Sequence, residues 1–392
     1  MTSADVLVIG GGPAGSSCAW KLRQAGVDVL VLDRAVFPRD KVCAGWITPA
    51  VADALDLDVR DYRRSRTFQP ITAFRTGLMG GALVDTSYDA PVSFGILRRE
   101  FDHYLLERSG ARLALDVHVN RIEHTAAGWV VNDEYAAPML VGAGGHFCPV
   151  ARRLNGPRRE EPVVVANEVE FLLSAAQMSV CRIAPEAPEL YFCSDLAGYG
   201  WCFRKERVLN VGIGRQDRRR LSEHLQRFVA QLQHAGRLPG DLPDGWRGHA
   251  YLLYDSSPRT IVADNALLIG DAAGLAYTQS GEGIRPAVES GLLAAQAIAG
   301  NRRSDGLAAY QAAVQARFGR RGPTGNHTTS IGGLLPRAAI TAAGRRLLGT
   351  RWFSRHVVLD RWFLHRNESS LRFTANASRA AAVEAASTMD PM

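Results

Sequence analysis

Runs of apolar residues separated by glycine-rich turns predict a βαβ unit at the start of this chain. Val6–Ile9 is wholly apolar, as expected for a buried strand of a parallel sheet. A glycine-rich turn follows, Ala14–Ala25 predicts a helix, and Gly26 is placed to end that helix in the left-handed conformation. Val27–Leu32 is a second apolar run. Strand, turn, helix and strand within 33 residues therefore predict a βαβ unit.

The later segments predict more than one kind of domain. Thr67–Phe94 shows alternation with many small turn residues, and Val163–Gly214 is rich in strand-forming segments, so both predict strands of a different domain. Short strands are predicted at Val117–Ile122 and Ala266–Ile269. From Leu307 onward the chain is predicted to be largely helical. This order favours a nucleotide-binding domain that is interrupted by insertions.

The turn after the first strand has the spacing of a dinucleotide-binding loop. Gly10 permits the tight turn, Gly12 lets the backbone approach a pyrophosphate, and Gly15 lets the helix pack against the strand. The phosphates are expected at the helix N-terminus, where free N–H groups favour anions. The candidate phosphate contacts are Gly10, Gly12, Pro13, Ala14 and Gly15. Asp33, 18 residues beyond Gly15, is placed to accept hydrogen bonds from ribose hydroxyls. The loop alone leaves FAD and NAD open.

Arg34–Trp46, directly after the second strand, carries a resemblance that bears on the cofactor. It resembles the corresponding segment in the geranylgeranyl reductase group of flavoproteins, which belongs to the superfamily of aromatic-ring hydroxylases and flavin-dependent halogenases. The usual ending of this segment in the group is Lys-x-Cys-Gly-Gly. Lys41, Cys43 and Gly45 match it, and Ala44 replaces a glycine. The resemblance implies that Cys43 lies near the isoalloxazine ring, and it is the only candidate for a group near the reacting atoms.

Two further segments resemble flavin-contacting parts of the same superfamily. Arg98–Asp102 matches its R-x-x-F-D helix start. Gly270–Gly274 and Ser280–Ile284 together resemble its second FAD fingerprint, G-D-A-A-G followed by G-E-G-I. The resemblance implies FAD as the cofactor, with Asp271 accepting a hydrogen bond from the ribityl chain. It also implies a helix beginning at this fingerprint whose N-terminal amides face the N1/O2 side of the flavin. The other implied cofactor contacts are Arg34, Cys43, Ala44, Arg98, Val119, Gly270, Gly281, Gly283 and Ile284.

The resemblance also implies the fold class and the domain boundaries. We expect an α/β protein in which a Rossmann-like FAD-binding domain is interrupted by an α+β substrate domain with an antiparallel sheet, followed by a helical C-terminal region. The discontinuous FAD-binding domain is expected to comprise residues 1–70, 98–160 and 260–330. The substrate-binding domain is expected at residues 71–97 and 161–259, and the C-terminal region at residues 331–392.

Two departures from the superfamily pattern bear on the reaction. The usual Gly-Ala-Asp-Gly near the end of the first flavin segment is Gly-Ala-Gly-Gly, with Gly144 in place of the aspartate. That aspartate helps to place flavin and nicotinamide in hydroxylases, so its loss argues against direct NAD(P)H use by the hydroxylase route. Halogenases carry a catalytic lysine downstream of the first motif, but no lysine occurs between Lys41 and Lys205. Halogenation is therefore not expected.

An aromatic segment is the candidate substrate wall. Tyr199, Trp201 and Phe203 alternate, so they share one face of a strand. The segment resembles the reductase group's sheet motif G-Y-x-W-x-F-P-K, with Arg204 in place of the proline. The shared face predicts either a wall of an apolar substrate cavity or a packed core, and the resemblance favours the cavity wall.

Composition and charge restrict the partners. The net charge is +7, and between Arg337 and Arg366 seven arginines and one acid, Asp360, give a local excess of +6. Since this single segment accounts for most of the imbalance, a nucleic-acid surface is not predicted. The six cysteines show no CxxC spacing, so neither a metal site nor a disulfide framework is expected. The N-terminus predicts a strand, not a signal peptide, so we expect a cytoplasmic location.

The basic segment predicts a cationic amphipathic helix. Leu348, Trp352, His356, Leu359 and Phe363 follow helical spacing as one stripe, with arginines spread around it. Such a helix can dock on an anionic membrane surface or cap a cavity with its arginines in solvent. Both interpretations remain open, so membrane association of a cytoplasmic protein is a further hypothesis.

The sequence predicts an FAD-dependent oxidoreductase that acts on a hydrophobic small molecule. The main hypothesis is reduction of a carbon–carbon double bond of an isoprenoid-like substrate by hydride from reduced flavin. The alternative is a monooxygenase that hydroxylates or epoxidises a hydrophobic or aromatic substrate, since a fold does not fix a function. A flavin-binding protein without turnover is a third hypothesis, and the two-part FAD site argues against it. The electron donor is either NAD(P)H or a separate partner, and the sequence identifies no proton donor.

Overall fold

A six-stranded sheet forms the centre of the nucleotide-binding part of the protein. The structure is a computed structural model that describes residues 1–157, 161–217, 220–300, 305–321 and 337–371. Within the sheet all neighbouring strands are parallel except the first pair. In spatial order its strands are Val262–Ala263, Ala266–Leu268, Met139–Gly142, Val6–Ile9, Val29–Asp33 and Arg112–Leu115. The strands at the centre are buried along their whole length, which explains their apolar sequence.

Two helices, Pro13–Gln24 and Ile284–Gly300, pack against each other beside this sheet. They approach closely because Gly291 has no side chain: a Cβ there would lie 2.3 Å from the carbonyl oxygen of Ala14. Gly26 has a φ of 75° and ends the first helix as predicted. The βαβ unit predicted from the sequence is therefore confirmed.

Two smaller sheets and several short helices surround this core. The four-stranded sheet consists of Thr2–Ser3, Tyr135–Ala137, Gly128–Val131 and Ile122–Thr125, and the three-stranded sheet of Trp46–Ile47, Ser93–Gly95 and Gln69–Ile71. The α-helices in this part of the chain are Pro49–Ala54, Val59–Tyr62, Arg98–Arg108 and Pro149–Asn155.

The predicted strand Val117–Ile122 is wrong, because only its last residue begins a strand. The side chain of Asn132 binds this segment instead. Its Oδ1 accepts hydrogen bonds from the N–H groups of Asn120 and Arg121, at 2.9 and 3.2 Å, and its Nδ2 donates to the carbonyl of His118 at 2.8 Å. Backbone groups paired with a side chain are not available to a neighbouring strand.

A seven-stranded sheet, called the substrate sheet below, carries the aromatic segment. In spatial order its strands are Arg247–Leu252, Val163–Leu172, Val208–Arg215, Gly198–Lys205, Glu189–Phe192, Ala73–Leu78 and Leu83–Ser87. All pairs are antiparallel except Glu189–Phe192 with Ala73–Leu78. The predicted α/β class with an interrupting, largely antiparallel sheet is confirmed. Helix Leu221–His234 packs on one face of the substrate sheet, where Phe228 lies against Gly200.

The C-terminal region is helical in the part that the structure describes, as predicted. Its elements are Arg337–Leu348, Arg351–Phe353 and a π-helix at Ser354–Phe363, and helix Asp305–Phe318 precedes it in the chain. Residues 331–336 and 372–392 of the predicted region lie outside the described residues. Among the described residues, no helix has the length and apolar character needed to cross a membrane.

The predicted C-terminal stripe is only partly correct. Leu348, Leu359 and Phe363 are buried, but Trp352 is 67% exposed and His356 is also exposed. The α-helix ends at Leu348, and the next long element is a π-helix with a wider turn. The spacing of 3.6 residues per turn therefore does not continue through the segment. Leu348, Leu359 and Phe363 are buried in one cluster, whereas Trp352 and His356 are exposed.

Candidate active site

A cavity of about 710 Å³ is lined by residues of the six-stranded sheet, the substrate sheet and the loop 39–46. Every residue predicted to contact cofactor or substrate lines it, except Gly15 and Gly270. Gly15 and Gly270 instead allow the conformation of the backbone around the cavity. A Cβ on Gly15 would lie 1.9 Å from the carbonyl oxygen of Gly10, and Gly270 has a φ of 58°. The segments on which the FAD prediction rests thus meet in one place, although they are far apart in sequence.

One end of the cavity is suited to a dinucleotide phosphate. Helix Pro13–Gln24 has no side-chain cap at Gly12, so its first N–H groups are placed for an anion. The Asp33 carboxylate accepts hydrogen bonds from the N–H groups of Gly11 and Ala35, at 2.7 and 2.9 Å. These bonds fix the carboxylate in the cavity wall, and each oxygen keeps a second lone pair for a ribose hydroxyl.

Arg98 is held rigidly at the cavity wall. It is 8% exposed, and its guanidinium forms two hydrogen bonds with the Asp102 carboxylate one turn later, at 2.7 and 2.8 Å. Arg39 also approaches Asp102, at 3.2 Å. A bidentate pair of this kind orients the guanidinium and leaves further N–H groups for other hydrogen bonds. The R-x-x-F-D spacing therefore has a physical reason, since the aspartate orients the arginine.

Lys41, His249 and Asp271 form a chain of polar contacts in the middle of the cavity. The Lys41 ammonium lies 3.1 Å from each ring nitrogen of His249, whose Nε2 lies 3.4 Å from Asp271 Oδ2. Burial, and next the charge of Arg98, lowers the pKa of Lys41 to about 8, and burial lowers the pKa of His249. Burial acts to raise the pKa of Asp271, but the hydrogen bond from His249 and the nearby positive charges of Lys41 and Arg98 lower it overall. Asp271 is therefore a carboxylate at neutral pH, as acceptance from a ribityl hydroxyl requires.

The second fingerprint begins helix Ile284–Gly300 at the cavity. Glu282 accepts a hydrogen bond from the N–H of Arg285 at 2.8 Å, so it caps this helix. Burial raises the pKa of Glu282 to about 7. The positive end of the helix dipole therefore faces the cavity, and the capping carboxyl group of Glu282 is only partly ionised at neutral pH.

The loop that carries Cys43 lies against strand Val163–Leu172. The Cys43 N–H donates to Glu168 Oε1 at 2.5 Å, and the Gly45 N–H donates to the Cys43 sulfur at 3.4 Å. Burial is the main cause that raises the pKa of the Cys43 thiol. Cys43 is therefore a neutral thiol in the cavity wall and not an activated nucleophile.

A buried polar network joins the same loop to the substrate sheet. Lys205 Nζ donates to the carbonyl of Ala44 at 2.9 Å and to Glu170 Oε2 at 2.6 Å. Asn210 Nδ2 donates to the carbonyl of Cys43 at 3.2 Å, and its Oδ1 accepts from the Trp201 indole at 2.7 Å. The lysine that ends the aromatic motif thus fixes the position of the loop.

The aromatic segment is both a cavity wall and part of a core. Tyr199, Trp201 and Phe203 line the cavity, and they also belong to a cluster of buried side chains that includes Phe363 of the π-helix. The Tyr199 hydroxyl donates to the carbonyl of Ser280 at 2.5 Å, which links the wall to the second fingerprint. The two interpretations of the shared face are therefore compatible.

Gly144 stands where the superfamily has an aspartate, and little space remains for a side chain there. A Cβ on Gly144 would lie 3.3 Å from the Cα of Cys148.

The described residues contain no group of three or more histidine, cysteine or acidic side chains that could hold a metal ion.

Sequence reasoning missed several residues of the cavity wall or of its support. They are Arg39, Glu168, Asn210, Lys205, His249 and Tyr251. Glu168 gave a signal, because it is a charged residue inside a strand that is otherwise mostly apolar. His249 and Asn210 gave none, since their positions follow from the pairing of distant strands.

Comparison with known proteins assigns the class. Residues 5–80 match the model of a family described as FAD dependent oxidoreductase, the class that the fold and the cavity define. The chain is 31% identical to a menaquinone reductase of Mycobacterium tuberculosis over 327 residues, 76% of either chain. It is 30% identical to a geranylgeranyl diphosphate reductase of Rhodobacter capsulatus over 310 residues, covering 75% of this chain and 74% of the relative.

A solved structure agrees with these relatives. It is a geranylgeranyl bacteriochlorophyll reductase-like protein of Thermoplasma acidophilum, with a TM-score of 0.69, 21% identity, and coverage of 89% of this chain and 88% of that one. The protein belongs to the geranylgeranyl reductase-like family of FAD-dependent oxidoreductases. FAD is its cofactor, and the cavity fits that group, since an uncapped helix N-terminus, the Asp33 carboxylate and the ionised Asp271 face one continuous space.

Proposed function

We propose that this protein reduces a carbon–carbon double bond of a hydrophobic, isoprenoid-like substrate. The observation that carries the proposal is the aromatic wall of Tyr199, Trp201 and Phe203, which lines the same cavity as the predicted FAD contacts. An apolar wall next to a flavin site suits a hydrocarbon substrate. The menaquinone reductase and geranylgeranyl diphosphate reductase relatives support this substrate class.

The chain's own residues bind, orient and exclude water. FAD, when bound and reduced, supplies a hydride. The glycine loop and Asp33 would hold the dinucleotide, Asp271 would hold the ribityl chain, and the amides at Gly281–Ile284 would stabilise negative charge on the ring. Arg98, oriented by Asp102, and the thiol of Cys43 line the cavity and would contact the flavin ring. Gly15 and Gly270 act by shaping the backbone around these contacts.

One experiment tests the proposed reaction against monooxygenation. The holoenzyme is reduced anaerobically with dithionite and mixed with an isoprenoid alkene, while flavin absorbance is followed. The matched control is the saturated analogue of the same chain length. Fast reoxidation by the alkene alone, with a product that has gained two hydrogen atoms, supports the proposal. Reoxidation that needs oxygen and yields an oxygenated product would establish the monooxygenase alternative.

A separate electron donor fits the site better than a nicotinamide. In related hydroxylases an aspartate helps to place the nicotinamide, and this chain has Gly144 at that position. A Cβ added to Gly144 would lie 3.3 Å from the Cα of Cys148. The proposal therefore includes reduction of the flavin by another protein or small reductant.

The C-terminal region is proposed to contact an anionic membrane surface. Ile340, Leu347 and Trp352 are 42%, 44% and 67% exposed, and Arg345, Arg346 and Arg351 lie beside them in the chain and are also exposed. Exposed apolar side chains among cations are the composition of an interfacial helix. Contact with a membrane would place a hydrophobic substrate close to the enzyme that takes it up.

A further inference from the structure

Glu168 occupies an unusual position at the foot of the aromatic wall. In the substrate sheet it lies opposite Gly212, which in turn lies opposite Trp201. A Cβ on Gly212 would lie 2.4 Å from the indole and 2.8 Å from the Glu168 Cβ. The Trp201 indole and the Glu168 side chain therefore lie on either side of Gly212, which has no side chain between them, and both residues line the cavity.

The carboxyl group of Glu168 is only half satisfied. Glu168 is 4% exposed and lines the cavity. Its Oε1 accepts from the N–H of Cys43 at 2.5 Å, whereas its Oε2 is buried and has no hydrogen-bond partner among the described residues. A buried carboxylate oxygen without a partner is costly, and protonation removes that cost. The free oxygen is therefore the natural place for a proton.

The surroundings of Glu168 favour the neutral acid. Burial raises the pKa of Glu168 to about 7, and the nearby Glu170 carboxylate acts in the same direction. The Cys43 N–H, Lys205 and Asn210 act to lower it but do not outweigh burial. The charged and titratable groups on the elements around it are Lys41, Cys43, Arg98, Glu170, Lys205, Arg247 and His249. Of these, Arg247 is turned to Asp40 at 2.8 Å and Lys205 to Glu170 at 2.6 Å.

We propose that Glu168 is the proton donor of the reaction, a role that rests on the proposed double-bond reduction. One alkene carbon receives a hydride, with its two electrons, from reduced FAD. The π pair of the alkene forms a C–H bond at the other carbon with the proton of Glu168, and the O–H bond breaks. The substrate gains two hydrogen atoms, the flavin is oxidised, and the Glu168 carboxylate regains its proton from water.

The other titratable groups of the cavity are less suited to this step. The Lys41 ammonium and the His249 ring are joined to each other and to Asp271, which a bound ribityl chain also needs. Glu282 Oε1 is engaged with the N–H of Arg285 and caps a helix. Burial raises the pKa of the Cys43 thiol, which makes it a weaker acid than Glu168. Among the described acidic residues that line the cavity, Glu168 combines a pKa raised to about 7 with a buried oxygen that has no hydrogen-bond partner, and it lines the cavity together with Trp201.

The test compares the wild-type holoenzyme with Glu168→Gln, which keeps the shape of the side chain and an acceptor for Cys43. The matched control is Glu206→Gln on an exposed turn of the same sheet. Reduced enzyme is mixed anaerobically with an isoprenoid alkene. We expect E168Q to slow alkene-dependent flavin reoxidation by about 10²-fold or more, the contribution of general acid catalysis, while E206Q does not. Glu168→Asp keeps an acid on a shorter side chain and is expected to retain an intermediate rate.

A readout that does not depend on turnover separates a proton donor from a structural residue. Infrared difference spectra of the oxidised holoenzyme, taken between low and high pH, should show the band of a protonated carboxyl group that titrates near pH 7. This band should be missing in E168Q. In wild type the reoxidation rate should fall as pH rises through about 7, since the acid must be protonated, and this limb should be absent in E168Q.

The failures of the two proposals are distinguishable. Wild-type enzyme that no alkene reoxidises overturns the proposed reaction and, with it, the role of Glu168. Wild-type enzyme that reduces the alkene while E168Q matches its rate and its pH profile overturns the role of Glu168 alone. Loss of the pH-dependent decline in Lys41→Met or His249→Gln, but not in E168Q, would instead assign the proton donor to the polar contacts between Lys41 and His249.

Discussion

The ammonium group of Lys205 lies 2.6 Å from the carboxylate of Glu170 and, through a hydrogen bond to the carbonyl of Ala44, joins the loop that carries Cys43 to the substrate sheet. Its other acceptors are the carbonyls of Ala44 and Ile96, so all three N–H donors of a residue that is 1% exposed are used. The loop that carries Cys43 and the strand that carries the aromatic wall are therefore joined by one side chain.

Lys205→Met should destabilise the protein by about 3 kcal/mol, the lower part of the range for breaking a buried ion pair, because Glu170 is partly exposed. The variant removes the cation and leaves the Glu170 carboxylate and two carbonyls without their donor. Urea unfolding of the FAD-bound protein measures the change. Lys21→Met, at a partly exposed position on the first helix, is the matched control and should change stability by less than about 0.5 kcal/mol. Equal stability of the two variants would show that the network does not hold the loop.

Asp271→Asn should weaken FAD binding by about tenfold to a hundredfold, the usual value of a hydrogen bond to a charged group. The amide keeps the shape but lacks the charge that His249, Lys41 and Arg98 stabilise. Fluorescence titration of the flavin-free protein with FAD measures the dissociation constant. Asp264→Asn, in an exposed turn with a φ of 49°, is the control, because asparagine tolerates that conformation. Unchanged affinity in D271N would remove Asp271 from the cofactor contacts.

The proposed flavin contacts could be assigned from the sequence because each belongs to a motif with local spacing. Gly10, Gly12 and Asp33 belong to one βαβ unit, and Asp271 belongs to a short loop after one strand. Glu168 and His249 could not be assigned in this way. Their places at the cavity follow from the register of strands that are paired across tens of residues, which the spacing of one segment does not contain.

The two errors in the predicted elements have different physical causes. At Val117–Ile122, the side chain of Asn132 takes the backbone groups that a strand would use. At Trp352 and His356, the break after Leu348 and the π-helix change the helical period. Apolar spacing reports neither a side chain that competes for backbone hydrogen bonds nor a change of helix type.

NADH and NADPH should reduce the flavin far more slowly than dithionite or a one-electron donor such as a reduced ferredoxin. The reason is Gly144, which offers no carboxylate to orient a nicotinamide and has Cys148 at 3.3 Å from the position of a Cβ. Anaerobic stopped-flow absorbance with each donor at equal concentration measures the rates. Rapid reduction by either nicotinamide at micromolar concentration would contradict the proposed separate donor.

Glu168 should make the stability of the protein depend on pH between about 4.5 and 7. Burial raises its pKa from 4.5 to about 7, so the folded protein holds a proton that the unfolded chain releases. This contribution is fully present below pH 4.5 and is lost as pH rises through 7. The difference of 2.5 pKa units corresponds to about 3 kcal/mol at most. Urea unfolding at several pH values should show a smaller decline for E168Q than for wild type, with E206Q as the control. A parallel decline in all three proteins would mean that Glu168 is ionised in the folded state.

Binding to membranes should depend on both the apolar and the cationic side chains of the C-terminal region. Trp352 is 67% exposed, and Arg345 and Arg346 are exposed nearby in the chain. Vesicles that contain anionic lipid should bind the protein, and neutral vesicles or higher salt should bind it less, because each arginine near an anionic surface contributes about 1 kcal/mol. Trp352→Ala should weaken binding at any salt concentration, whereas Arg345→Gln with Arg346→Gln should reduce the salt dependence. Arg121→Gln, at an exposed position directly before strand Ile122–Thr125, is the control for charge alone. If it reduces vesicle binding as much as the C-terminal variants do, the attraction comes from net charge and the C-terminal region is not the docking surface.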